Sequence, residues 1–504
     1  MRARSAQRSF AVIVFAITFT AVAFGQTAVK PSWMTHAHDA QHTGLSDIAG
    51  QDINRILWSI PVDLHPTLSG GELLVHYGSP LVTVSNTVIV PVKNGTAFQV
   101  DAVNGKTGKV KWLLKTDYTV PSASFTPSFG PVLSKNRLIM PAAGGTVLIR
   151  NLPDTATGTT TRAAFFGNAN FNANPTAYIN NVKINTPIAA DASGNLYFGF
   201  VVTGSTPVNL QSGIARIARN GQGTWIAAST AANDTSIRKV SMNCSPAVSL
   251  DGKTIYVAVN SGDFGFGYLL ALDSTTLQTI ASVRLTDPAS GMDATLTDES
   301  SATPTVGPDG DVYYGVLENP FPDHNDRGWL LHFSGDLKQT RIPGSFGWDD
   351  TASVVPASMV PSYIGTSKYL LMTKYNNYAN VGGDGKNKIA ILDPNKPMKD
   401  PILGNTVMKE VLTRKGVTPD PDFPNFPGAV REWCINAAVV DRFTKSVLAN
   451  SEDGKLYRWD LTTNQFSQVI TLTGGIGEAY TPTLIGSDGT VYAINDAVLF
   501  ALGK

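Results

Sequence analysis

Four short β-type runs follow one another between Gly78 and Trp112, each closed by turn residues. Ser79-Pro80 opens the first run, a place where proline costs no ladder donor. Thr87 to Val92 is β-branched or apolar at nearly every position, as a strand covered on both faces requires. Asn94-Gly95 is a hairpin signal, because both central residues of a type I′ turn need positive φ. Ala97 to Val103 returns, Thr107-Gly108 turns again, and Lys109 to Trp112 ends the unit on a large flat indole. A four-stranded antiparallel sheet of this size cannot bury both faces by itself. It has to stack radially on copies of itself, as a propeller blade does.

The rest of the chain supplies the copies. First strands recur at Gly130 to Leu133, Thr186 to Ile188, Ser245 to Val248, Thr303 to Val306, Ser353 to Val360 and Ile435 to Asp441. Asp251-Gly252, Asp309-Gly310 and Asp488-Gly489 mark hairpin turns at matching places. Blade five is expected to end on an outer strand at Gln339 to Ile342. The last piece, Thr481 to Leu502, has only three runs, while Asn54 to Ile60 is an outer strand with nothing before it to complete a blade. Pairing these two ends closes a ring and removes the exposed sheet edges of an open array. The expected fold is therefore all-β. It is an eight-bladed β-propeller of four-stranded antiparallel blades over residues 54–504, closed by an N-terminal outer strand that completes the last blade. Residues 26–53 form a lead-in segment.

Arg2, Arg4 and Arg8 precede an apolar run from Phe10 to Phe24, and Ala23-Phe24-Gly25 resembles a small-residue cleavage site. Residues 1–25 thus read as a secretory signal peptide, which predicts export to the periplasm or the extracellular space. No later run approaches the length of a membrane span. The first cysteine is Cys244, so no lipid anchor is expected at the new N-terminus. The chain carries 39 basic and 39 acidic residues, which argues against nucleic acid or an anionic membrane as the main partner. Charged residues make up only 15%, against 46 glycines and 30 prolines, as suits a turn-rich exported β protein.

Ala102-Val103-Asn104-Gly105-Lys106-Thr107-Gly108-Lys109-Val110-Lys111-Trp112 resembles the tryptophan-docking motif of the quinoprotein-type propellers, with Asn104 where that motif has Asp. Ala271-Leu272-Asp273-Ser274-Thr275-Thr276 is a partial copy, Leu392-Asp393-Pro394-Asn395 a weaker one, and Trp33 with Gln41-His42-Thr43-Gly44 resembles the family's lead-in. The resemblance implies pyrroloquinoline quinone and Ca²⁺ over the channel in the family's enzymes, with a disulfide of adjacent cysteines packed on the quinone. This chain has no adjacent cysteines and no Cys-x-x-Cys-His haem motif. The family's outer-membrane assembly scaffolds are usually lipoproteins, which the missing early cysteine also disfavours. Two functions follow: a non-catalytic scaffold that binds a protein, small molecule or glycan at the channel mouth, or a divergent quinone- and calcium-dependent dehydrogenase using that mouth. A polysaccharide hydrolase or lyase is a more distant third. A monomer is expected.

Residues just before each first strand should ring one mouth of the channel. They include His76 and Tyr77, Asn243 and Cys244, Glu299 and Ser300, Asp349 and Asp350, Arg431, Glu432, Trp433 and Cys434, and Glu478 and Tyr480. Converging carboxylates, with Glu299, Glu432 and Glu478 foremost, suit a hard cation such as Ca²⁺. Trp433 and Tyr480 suit stacking platforms for an organic ligand. The bland reading is a solvated rim of loop charges. Cys244 and Cys434 share one place in blades four and seven, so the channel should separate them beyond disulfide reach. His36-x-His38-Asp39-x-x-His42 is a weak metal motif, and Asp323-His324-Asn325-Asp326 reads as a solvated turn.

Overall fold

Positive-φ turn residues cut the chain into hairpins short enough to stack: Gly95, Gly252, Gly310 and Gly489 all have φ between 63° and 90°. In the computed structural model, which describes residues 33–120 and 128–504, those hairpins form eight sheets. The expected signal peptide lies outside the described residues.

Blade 1 holds strands Leu81–Val82, Thr87–Asn94, Ala97–Asn104 and Val110–Lys115 in sequence order. Blades 2 and 6 follow the same meander, and blade 7 adds to it the lead-in strand Leu45–Ser46, parallel to its first strand. Blades 3 and 4 each add a short strand beside the meander, Val182–Ile184 and Lys239–Val240. Two helices, Asn168–Ala173 and Pro175–Asn181, fill the connection before blade 3. Blade 5 departs from expectation. Its ladder has three strands, and its outer segment pairs only through single bridges, Phe333 with Thr340 and Leu330 with Gly344. Pro343 lies in that segment and has no amide to donate.

The ring closes as the two ends of the sequence demand. Arg55–Pro61 pairs antiparallel with Val498–Gly503 and completes blade 8. Trp58 then docks on blade 1. Its indole N–H donates to the Gly105 carbonyl at 2.8 Å, and the ring lies over Gly108, where a Cβ would come within 2.7 Å of Trp58 Cγ. Trp112 repeats the contact one blade on, donating to the Pro153 carbonyl at 2.8 Å with Arg150 stacked at 4.1 Å. Asn104 does the work of the motif's Asp, its side-chain oxygen accepting the Lys106 and Thr107 amides.

The lead-in is a girdle around the far end of the inner strands. Its backbone meets Val82 of blade 1 at Trp33, then Leu133 of blade 2 at Met34. Thr35 donates to Ile188 of blade 3. The backbone then meets Val248 at Ala40, Val306 at Gln41, Val354 at Thr43 and Val440 at Gly44, before Gln51 donates to Gly489 of blade 8. One segment thus touches all eight blades in order, and its His36 lines a small cavity together with His76, Ser301 and Tyr480.

Candidate functional site

Alternation along a strand sends successive side chains to opposite faces. In the approach to blade 7's first strand this separates Cys434 and Asn436 from Trp433 and Ile435. Trp433 is 1% exposed and packs with Ile435, Tyr457 and Phe466 in the core. It is therefore no platform for a ligand, which corrects that expectation. Cys434 instead meets a carboxylate: its thiol lies 3.5 Å from Glu452 Oε2. The Glu432 amide donates to Glu452 Oε1 at 2.8 Å. Ligand-type atoms of Glu432, Cys434 and Glu452 all lie within 4.8 Å of one another. Glu478, from the approach to blade 8, is 7% exposed, lies near enough to Cys434 and Glu452 to act on them electrostatically, and keeps Oε2 without a partner.

Burial pushes this acidic group up, and its members reinforce one another. Burial, then Glu452 and Glu478, hold the Glu432 carboxyl well above the usual range. Glu452 is raised to about 7, chiefly by burial, and Glu478 well up by burial and by Glu452. The Cys434 thiol is pushed well up by burial and then by the same three glutamates. A cation at this point would relieve every one of these shifts.

Beside it stands a buried ion pair. Lys374 Nζ lies 3.8 Å from Asp349 Oδ2 and 4.9 Å from the centre of the Tyr480 ring. His76 stacks on Tyr480 at 3.6 Å, with Nε2 3.7 Å from Asp349 Oδ2. Asp349 also accepts the Ser301 amide and hydroxyl, and Asn436 donates to that hydroxyl at 2.6 Å. Asp350 is 1% exposed, its Oδ2 has no partner, and burial raises it to about 8.

The remaining sequence candidates lie outside the group of close ligand atoms. The Tyr77 hydroxyl donates to Asp63 at 2.9 Å, and the residue lines a small cavity with His76 and Tyr480. Arg431 pairs with Asp422 at 2.6 Å and Asp420 at 3.3 Å, and stands 3.9 Å from Glu452. Glu299 is exposed on the blade 5 rim near Asp263 and Asp349, outside the Glu432–Cys434–Glu452 group. The lead-in histidines do not converge. His38 turns to Asp39 and Trp33, while His36 and His42 face each other at 5.9 Å, both pushed down by burial. Cys244 and Cys434 are both buried free thiols, as expected. The Asp323–Asp326 segment is not a solvated turn: His324 is fully buried, stacked on Trp329 at 3.8 Å and 3.3 Å from Asp400.

Glu452 and Lys374 were missed because they follow or end second strands. Antiparallel pairing puts the end of a second strand beside the start of the first. Aligning Asn450 to Glu452 with Thr373 to Tyr375 would have found both.

A cleft of about 780 Å³ opens on the lead-in face, between Asp39–Gln41 and the turns of blades 2 to 4. Its acids serve their own turns: Asp191 accepts the Ser193 and Asn195 amides, and Asp251 the Lys253 amide. None of the residues lining this cleft holds a buried side-chain polar atom without a partner, whereas Glu478, Asp350 and Asn436 at the mouth and along the channel do.

No family model matches the sequence, and no curated protein matches it either. Solved structures do. The chain is similar to a europium-containing methanol dehydrogenase, at 11% identity and TM-score 0.54, with 92% of this chain and 89% of that one covered. It is also similar to the quinohemoprotein alcohol dehydrogenase of Comamonas testosteroni, at 13% identity and TM-score 0.54, with 95% and 82% covered. Sqt1 of Saccharomyces cerevisiae aligns at 9% identity and TM-score 0.52, with 90% and 99% covered. Likeness at such identities belongs to the fold, and the fold is the eight-bladed β-propeller.

Proposed function

We propose that the chain is an exported, monomeric, non-catalytic binding propeller of the quinoprotein-like group, and that its mouth at blades 6 to 8 takes a cation or a ligand bearing one. The observation that carries this reading is the close group of Glu432, Cys434 and Glu452 with Glu478 nearby, where burial and mutual repulsion outweigh the attraction of Arg431, 3.9 Å from Glu452, and of Lys374. Lys374 and Arg431 are the nearby cations, and each already faces an aspartate. The signal-like N-terminus supports export to the periplasm or beyond the cell.

The second reading, a divergent quinone- and calcium-dependent dehydrogenase, draws support from the fold it shares with two dehydrogenases. Glu432, Glu452 and Glu478 suit the cation of such a site. The quinone fits poorly. It is a planar tricarboxylate, and this mouth presents Asp349, Asp350 and three glutamates to it. The adjacent cysteines that would cover it are missing, and Trp433 is buried away from the lumen. Reconstitution with pyrroloquinoline quinone and Ca²⁺, followed by absorbance and by turnover of alcohols and sugars, separates the two readings. Binding alone predicts neither a retained chromophore nor turnover; a chromophore with turnover would establish the dehydrogenase.

A further inference from the structure

We propose that Glu432, Cys434, Glu452 and Glu478 form a site for one divalent transition-metal ion of the zinc type. The inference rests on the cation reading above and names the cation class.

Sulfur decides the class. Calcium and magnesium take oxygen ligands, whereas a thiolate ligand selects zinc and its neighbours. Cys434 stands among the carboxylates, with ligand atoms of Glu432 and Glu452 within 4.8 Å. A tetrahedral zinc ion with sulfur at about 2.3 Å and oxygen at about 2.1 Å holds its ligands roughly 3.5 Å apart. Glu452 Oε2 already sits 3.5 Å from the sulfur. Its other oxygen accepts the Glu432 amide and faces Arg431 at 3.9 Å, which fixes the carboxylate with Oε2 toward the thiol.

A second observation points to a ligand independently. Glu478 comes from a different blade, is 7% exposed, lies within electrostatic reach of Cys434 and Glu452, and leaves Oε2 without a partner. It would supply a fourth ligand from the buried side, while Glu432 and Glu452 each keep a small exposed fraction. On binding, the sulfur–metal bond forms as the thiol proton leaves to solvent. No redox change is involved.

Cobalt(II) is the probe, added to the full chain. Wild type is expected to develop a sulfur-to-cobalt charge-transfer band in the near ultraviolet. The band should saturate at one equivalent and be displaced by Zn²⁺ but not by equimolar Ca²⁺. Cys434→Ser should abolish the band and weaken Zn²⁺ binding at least about tenfold, and Glu478→Gln should weaken it while keeping the band. Cys244→Ser should behave as wild type, and circular dichroism of each variant checks its fold. Cobalt bound without the band, or unchanged affinity in Cys434→Ser, overturns the thiolate site. Ca²⁺ bound in preference to Zn²⁺ overturns it too and leaves the cation reading standing. No cation of any kind overturns both.

Discussion

Asp350 offers the sharpest test of how the mouth is built. Its carboxyl is 1% exposed and one oxygen lacks a partner, so the fold holds it protonated up to about pH 8, while the unfolded chain releases that proton near 3.8. Between those values the folded state binds more protons than the unfolded state, so stability falls as pH rises, by about 1.4 kcal/mol per unit. Below the unfolded pKa the contribution vanishes, and above about 8 the loss is complete. At pH 7 the loss reaches roughly 4 kcal/mol for this group alone. Asp350→Asn keeps the shape and the acceptor that faces Thr373 and the Lys374 amide, and removes the titration. Its amide nitrogen replaces an oxygen that already lacks a partner, so that penalty is present in both proteins. Urea unfolding of both proteins at pH 5 and pH 7 reads the difference. The variant should gain on wild type by roughly 2 to 3 kcal/mol between the two pH values. A stability difference that is the same at both would refute a buried, protonated Asp350.

Gly108→Ala places a Cβ 2.7 Å from the Trp58 ring at a residue with φ +67°, and should lower stability by about 2 kcal/mol in thermal or urea unfolding. An unchanged midpoint would contradict closure through Trp58. Lys374→Met strands Asp349, 4% exposed, without its ammonium partner and should cost about 3–5 kcal/mol by the same assay. Thiol titration should find both cysteines reduced in denaturant without added reductant, and neither reactive in the folded protein, since Cys244 and Cys434 are 0% and 2% exposed. A native protein that labels rapidly would place one of them at the surface.

Most of the fold is legible because turns and strand lengths are local properties. Turns do fall at Asn94-Gly95 and the Asp-Gly pairs, though only the glycines take positive φ and Asn94 ends its strand opposite Ala97, and an outer strand at Asn54 to Ile60 has no partner except the last blade. Blade 5 was misread where Gln339 to Ile342 looked like strand but meets its neighbour only at single bridges. The site was half legible. Glu432, Cys434 and Glu478 share a place in the repeat, so alignment of first strands finds them. Glu452 and Lys374 sit on the neighbouring strand, and which second-strand ends carry charge toward the lumen depends on register. Alignment of first strands brings Trp433 to the mouth, but period-2 alternation puts it with Ile435 in the core and away from Cys434. His324 looked exposed in a run of polar residues, but its stacking on Trp329 is a tertiary contact that no local pattern signals.

In the proposed reading the mouth binds a cation through the Glu432–Glu452 pair and Glu478. Native mass spectrometry of the chain after incubation with Zn²⁺ and, separately, Ca²⁺ tests it directly. Wild type should carry one cation per chain, the Glu432→Gln/Glu452→Gln variant none, and Glu299→Ala, on the exposed rim, the same one as wild type. A wild-type chain bare in both ions, or a cation retained by the double variant, would contradict the claim.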